Sequence, residues 1–273
     1  MNQSQENECF RMFAIDLDGT LLTDDKQITE GNKNAVADAM KAGVVMCVST
    51  GRAWPGAKKF VRELGVTAPV ITSNGAMIVD PLTEEVLYDL KLDFEDVRQI
   101  YRLGCEIGVT QIVWSGRQLY GSRMDEYLGD YSRRFGFMEP IVLQSIEDLC
   151  EKGVSKILWY FPEPTADGYL RKVPAALRDK LNIVTSTPFF LEFFHKEVSK
   201  AAAVEMVAER FNIPRSEIVC VGDAGNDLPM IRMAGLGVAM GNATDDVKAE
   251  ADYITDDNMH DGVAKVIRRF LKE

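Results

Sequence analysis

The chain has 273 residues, a formal net charge of −11 and a hydrophobic share of 46%. This length suits one large or two modest domains with a well-buried core, and the acidic balance makes the chain a poor candidate for binding nucleic acid, which needs a basic footprint, so no nucleic-acid partner is expected. No apolar run approaches the ~20 residues of a membrane span, and no basic start followed by an apolar stretch marks a signal peptide.

Met1 to Glu8 read as a polar tail. Met12–Leu17 (MFAIDL) reads as a buried strand, and Thr29 caps a helix that runs to Ala42 and closes at Gly43. Val44–Val48 (VVMCV) is a second strand, apolar throughout as in a sheet covered on both faces. A helix over Pro55–Leu64 and a strand over Pro69–Thr72 follow. Ala76–Asp80 and Val86–Leu92 resemble a hairpin around Pro81-Leu82-Thr83. The middle of the chain then predicts helices near Asp93–Ile107 and Met124–Phe135, and strands near Thr110–Trp114 and Gln118–Tyr120. Ser145–Cys150 starts like a capped helix, Lys156–Phe161 (KILWYF) is a strong strand, and Pro164–Leu181 reads as one helix. The opening style returns with a helix over Ser199–Phe211, the strand Ile218–Val221, a helix at Leu228–Met233, short strands at Leu236–Met240 and Tyr253–Thr255, and a closing helix over His260–Leu271.

Strands alternating with helices imply βαβ units and a mostly parallel sheet, whereas consecutive strands and hairpins imply an inserted α+β domain. The expected division is a discontinuous core of residues 1–81 and 188–273, with an insertion over 82–187. Five scattered cysteines (Cys9, Cys47, Cys105, Cys150, Cys220) without CxxC spacing read as reduced thiols of a cytoplasmic protein.

Four segments carry the chemistry. Asp16-Leu17-Asp18-Gly19-Thr20 ends the first strand, where ligands bind in an open α/β sheet. Alternation places Asp16 and Asp18 on one side, so their mutual repulsion calls for a cation. Gly222-Asp223-Ala224-Gly225-Asn226-Asp227 adds two carboxylates and an amide after another strand, oxygen donors of the kind Mg²⁺ takes. Ser49-Thr50-Gly51-Arg52 offers a hydroxyl and a glycine amide to an anion. Lys200 opens a helix, where the dipole disfavours a cation, and so points to a use elsewhere. Each segment alone also reads as a capped turn or a solvated charge; their joint placement at strand and helix ends favours a site.

On these residues, together with Ser73-Asn74-Gly75-Ala76, Val198-Ser199-Lys200, Gly237–Ala243 and Asp261-Gly262-Val263, the sequence resembles the haloacid dehalogenase-like superfamily, and within it the Cof-type IIB phosphatases. The resemblance implies a Rossmann-like α/β core with an inserted α+β cap of the C2B type. It implies an Mg²⁺-dependent phosphatase acting on a small phosphorylated metabolite, a sugar phosphate or phosphorylated cofactor, through an aspartyl-phosphate. In that frame Asp16 is the nucleophile and Asp18 the general acid and base. Asp16, Asp18 (through its backbone carbonyl), Asp223 and Asp227 serve the metal. Leu17 (through its amide), Thr50, Gly51, Lys200 and Asn226 bind phosphate, and Arg52, Asn74 and Gly75 contact substrate. The sequence departs from the pattern at Ala201, where glycine is usual, and at Ala224, where serine is common. A phosphomutase or phosphotransferase on the same scaffold is the alternative. Trp114, Tyr120, Trp159 and Tyr160 read either as core of the insertion, the reading favoured for most of them, or as rings that stack on substrate, and Glu192 either orients the site or forms an ion pair.

Overall fold

A computed structural model describes residues 10–134, 138–163, 165–185 and 187–271. The polar N-terminal stretch, Cys9 and Phe135 lie outside the described residues. Two compact units emerge: one of Met1–Thr50, Lys58–Leu87 and Ser199–Glu273, the other of Gly51–Ala57 and Tyr88–Val198.

In chain order the elements begin with β1 (Met12–Ile15), α1 (Glu30–Lys41), β2 (Val45–Val48), α2 (Trp54–Leu64), β3 (Val70–Thr72), β4 (Met77–Val79) and β5 (Val86–Asp89), all in the first unit except the start of α2, up to Ala57, and the end of β5, from Tyr88. The second holds α3 (Phe94–Ile107), β6 (Thr110–Ser115), β7 (Gln118–Gly121), α4 (Glu126–Arg134), β8 (Ile141–Val142), β9 (Lys156–Tyr160), α5 (Ala166–Leu170), α6 (Ala175–Arg178), β10 (Leu181–Val184) and β11 (Phe190–His195). The chain returns to the first unit with α7 (Lys200–Arg210), β12 (Ile218–Gly222), α8 (Leu228–Met233), β13 (Leu236–Ala239), α9 (Asp245–Glu250), β14 (Tyr253–Ile254) and α10 (Gly262–Phe270).

The first unit is built on a parallel sheet of order β14-β13-β12-β1-β2. Strands β1, β12 and β13 are buried along their whole length, as expected where helices cover both faces. A single parallel bridge, Ser49 to Ile71, joins this sheet to the antiparallel β3-β4-β5 meander. Thr29 caps α1 by accepting from the Asn32 amide, and Ser199 caps α7 by accepting from the Ala202 amide.

The second unit is a six-stranded sheet of order β10-β11-β9-β6-β7-β8, antiparallel except at the β7–β8 edge. Alternation divides its side chains into two clusters. Val113, Ile157, Trp159, Leu191 and Phe193 pack in one, and Ile112, Trp114, Leu158, Tyr160 and Phe190 pack with Leu128 and Tyr131 of α4 in the other. Trp114, Tyr120, Trp159 and Tyr160 are all buried.

Three expectations change here. The helix read over Pro164–Leu181 is two short helices, because Pro174 cannot extend α5 and instead stands before α6. Leu181–Val184 and Phe190–His195 are strands of the second sheet. Pairing of β11 with β9 and β10 therefore carries that unit to Val198, past the expected limit at 187, and its main segment begins at Tyr88 rather than at 82. Residues 51–57 also group with it, since Ala53 packs among Ile112, Trp114 and Tyr160. No helix among the described residues is long and apolar enough to cross a membrane.

Candidate active site

The register of the parallel sheet brings two acidic loops together. Strands β1 and β12 are neighbours with Ile15 opposite Val221, and the Asp16 amide donates to the Val221 carbonyl at 3.1 Å. Asp16 and the Gly222–Asp227 loop therefore leave the sheet side by side at its carboxyl edge. On the other flank, the Ser49 amide donates to the Ile15 carbonyl at 2.9 Å, so Thr50 follows directly.

Lys200 is the hub. As the first residue of α7 it is almost wholly buried, and its Nζ lies 2.6 Å from Asp16 Oδ1 and 2.6 Å from Asp227 Oδ1. An oxygen from each of Asp16, Asp223 and Asp227 falls within 4.8 Å of the others. Thr20 Oγ1 donates to Asp223 Oδ1 at 2.7 Å, and the amides of Asp223 and Ala224 donate to Asp227 Oδ2 at 3.0 and 3.1 Å. Gly19 is required by this closeness. Its φ is +80°, and a Cβ there would stand 2.4 Å from Asp223 Oδ2.

Burial pushes the Asp16 carboxyl well above its ordinary range, the nearby Asp227, Asp223 and Asp18 push it further, and Lys200 opposes them. Asp223 is pushed up to about 6, mainly by burial and then by Asp227. For Lys200, burial alone would lower the ammonium, but Asp16 and Asp227 outweigh it and hold the group firmly charged. Three carboxylates thus crowd around one ammonium that pairs directly with two of them, and formal negative charge exceeds positive. A hard divalent cation with oxygen ligands fits that donor set.

The remaining predicted residues fall as follows. Asp18 lies beside the cluster in sequence, but its carboxylate pairs with Lys26 at 3.0 Å and is not one of the three mutually close carboxylates. Leu17 is buried, and the Thr50 amide donates to the Ile71 carbonyl at 2.9 Å. Asn226 Nδ2 donates to Asn74 Oδ1 at 3.0 Å, and Gly75 packs against the Ser199 carbonyl. Gly51 and Arg52 group with the second unit, where the buried Arg52 donates to the Gly56 carbonyl at 3.3 Å. Glu192 is an ion-pair residue, bound to Lys156 inside the second sheet. Sequence reasoning gave no role to Thr20 or Lys26. A hydroxyl four residues after Asp16 was a visible signal for the first, whereas a lysine in an acidic turn carried none for the second.

The chain matches the family described as haloacid dehalogenase-like hydrolase over residues 13–267. It belongs to that family. This hydrolase is 32% identical over 278 residues to the 5-amino-6-(5-phospho-D-ribitylamino)uracil phosphatase YcsE of Bacillus subtilis, covering 99% of this chain and 100% of the relative. Its fold matches a haloacid dehalogenase-like hydrolase from Bacteroides thetaiotaomicron with a TM-score of 0.85 at 28% identity, covering 96% of this chain and 100% of the other. It also matches a subclass IIB sugar phosphatase of the superfamily with a TM-score of 0.84 at 26% identity, covering 95% and 98% of the two chains.

Proposed function

We propose that this haloacid dehalogenase-like hydrolase is a cytoplasmic, Mg²⁺-dependent phosphatase of small phosphate monoesters, working through a phosphoryl group carried on Asp16. The observation that carries the proposal is Lys200 bridging Asp16 and Asp227 beside Asp223, a buried cation shared among more carboxylates than it can neutralise. Relatives named as phosphatases of phosphorylated metabolites support the substrate class.

A carboxylate oxygen of Asp16 attacks phosphorus, and the bond from phosphorus to the ester oxygen breaks. Asp18, when protonated, donates to the departing oxygen. Water then attacks phosphorus, Asp18 takes its proton, and the bond to Asp16 breaks to release inorganic phosphate. Lys200 holds Asp16 in place and supplies positive charge near the transferred group, while Thr50, Asn226 and the Leu17 amide bind its oxygens. Asp16, the Asp18 backbone carbonyl and Asp223 would hold Mg²⁺, with Asp227 supporting them. Bound there, the ion would offset the repulsion between an anionic nucleophile and an anionic ester. Gly51 and Arg52 stay outside this proposal because they group with the second unit.

The test is hydrolysis of p-nitrophenyl phosphate by the purified protein. Activity should require Mg²⁺, stop with EDTA and vanish in Asp16→Asn. Activity surviving in Asp16→Asn would reject the mechanism.

A further inference from the structure

Among the described residues, two buried side-chain atoms lack a hydrogen-bond partner, Ser49 Oγ and Asn74 Nδ2. Both belong to segments next to the phosphate-binding loop. A buried amide donor left unpaired forfeits its hydration without a replacement, so an acceptor is expected at some stage of its work.

Asn74 is also conformationally costly. Ser73, Asn74 and Gly75 form a single tight turn with φ of 52°, 59° and 99°. Two successive non-glycine residues in the left-handed region are strained, and such strain persists where the surroundings enforce it. Here three neighbours do so. The Asn74 amide donates to the Thr50 carbonyl at 3.0 Å. Asn74 Oδ1 accepts from Asn226 Nδ2 at 3.0 Å. A Cβ on Gly75 would stand 2.3 Å from the Ser199 carbonyl, at the cap of the helix that begins with Lys200. One three-residue turn therefore touches the Thr50 loop, the Asn226 loop and the start of the Lys200 helix, all within the first unit.

We propose that Asn74 is a further phosphoryl-binding residue: its carbonyl oxygen holds Asn226, and its unspent amide nitrogen donates to an oxygen of the bound phosphoryl anion. The inference rests on the phosphatase reading above and gives Asn74 a definite chemical role within it. The turn holds a neutral donor between the Thr50 and Asn226 loops, where it can meet negative charge that develops on the transferred group. Asparagine suits the position because it tolerates the left-handed region and carries acceptor and donor together.

The experiment compares the wild type with Asn74→Gly and Asn74→Asp, each in saturating Mg²⁺. Glycine tolerates the turn and removes the amide. Aspartate tolerates it, keeps an oxygen for Asn226 and replaces the donor with an anionic oxygen. Three readouts are needed: the melting temperature, inorganic phosphate affinity by calorimetry, and kcat and KM for p-nitrophenyl phosphate. Asn74→Gly should melt close to the wild type, bind phosphate about tenfold or more weakly, and lose about 10- to 100-fold in kcat/KM. Asn74→Asp should lose at least as much phosphate affinity although Asn226 keeps its partner. Asn74→Gly combined with Asn226→Ala should cost less than the two losses summed. Phosphate affinity equal to wild type in Asn74→Gly and Asn74→Asp overturns the inference, since the nitrogen then serves only a buried water. Phosphate binding is read without turnover. A wild type that binds phosphate but hydrolyses nothing would defeat the phosphatase reading and still judge Asn74, and a wild type that binds no phosphate defeats both.

Discussion

Among the described residues each unit buries one lysine against carboxylates, with different outcomes. In the second unit Lys156 of β9 meets Glu192 of the adjacent strand β11, with its Nζ 5.5 Å from the centre of the Phe194 ring. Burial alone would lower this ammonium, but Glu192, with Tyr131 adding to it, holds it charged. Tyr131 in turn accepts from the Trp114 indole at 3.1 Å. One cation meets one carboxylate. In the first unit Lys200 faces Asp16 and Asp227 directly with Asp223 close by, and charge is left over. A balanced buried pair leaves no formal charge to be met, whereas the crowded carboxylates of the first unit offer a donor set that could hold a metal ion.

The contrast can be broken most severely at Lys200. Lys200→Met should cut kcat/KM by at least about a thousandfold, and it should destabilise the protein by about 3–5 kcal/mol in chelator, because crowded carboxylates lose their counter-charge. Steady-state kinetics and urea unfolding measure the two effects. In the second unit, Glu192→Gln should cost about 3 kcal/mol in the same unfolding assay by stranding Lys156. Lys156→Met with Glu192→Leu should recover most of that loss. No such apolar replacement should rescue activity in the first unit.

Mg²⁺ sharpens the comparison further. At about a hundredfold over its dissociation constant the ion should stabilise the wild type by about 2.7 kcal/mol. Calorimetric melting should show the gain vanish with EDTA and in Asp223→Asn, yet persist in Glu192→Gln. The smallest effect belongs to Thr20→Val, which removes the bond to Asp223 and should cost about 1 kcal/mol, with a weaker apparent Mg²⁺ affinity in activity titrations.

The parallel sheet was legible because its strands are unbroken apolar runs such as VVMCV and IVCV, and the caps at Thr29 and Ser199 were legible because capping is local. Strand β11 (FLEFFH) was hidden by Glu192, a carboxylate made tolerable in the interior only by Lys156 from another strand. Helix α9 went unread because its six residues carry a single buried side chain, Val247. At the site, the carboxylates announced themselves by position after strands, and Lys200 by opening a helix whose dipole disfavours a cation. The bonds from Thr20 to Asp223 and from Asn226 to Asn74 span 203 and 152 residues, and only the folded register creates them.

That register has a consequence for how the protein is made. Strand β1 gains one neighbour early, from β2, but its other neighbour is β12, which begins at Ile218. A nascent chain on the ribosome therefore carries Asp16 long before Lys200 and Asp223 have been synthesised. Closing so long a loop is slow, and until it closes β1 presents an unpaired edge. Nascent chains arrested before residue 218 should accordingly expose that edge to chaperones and to one another, and the competence to bind an ion should appear late and all at once.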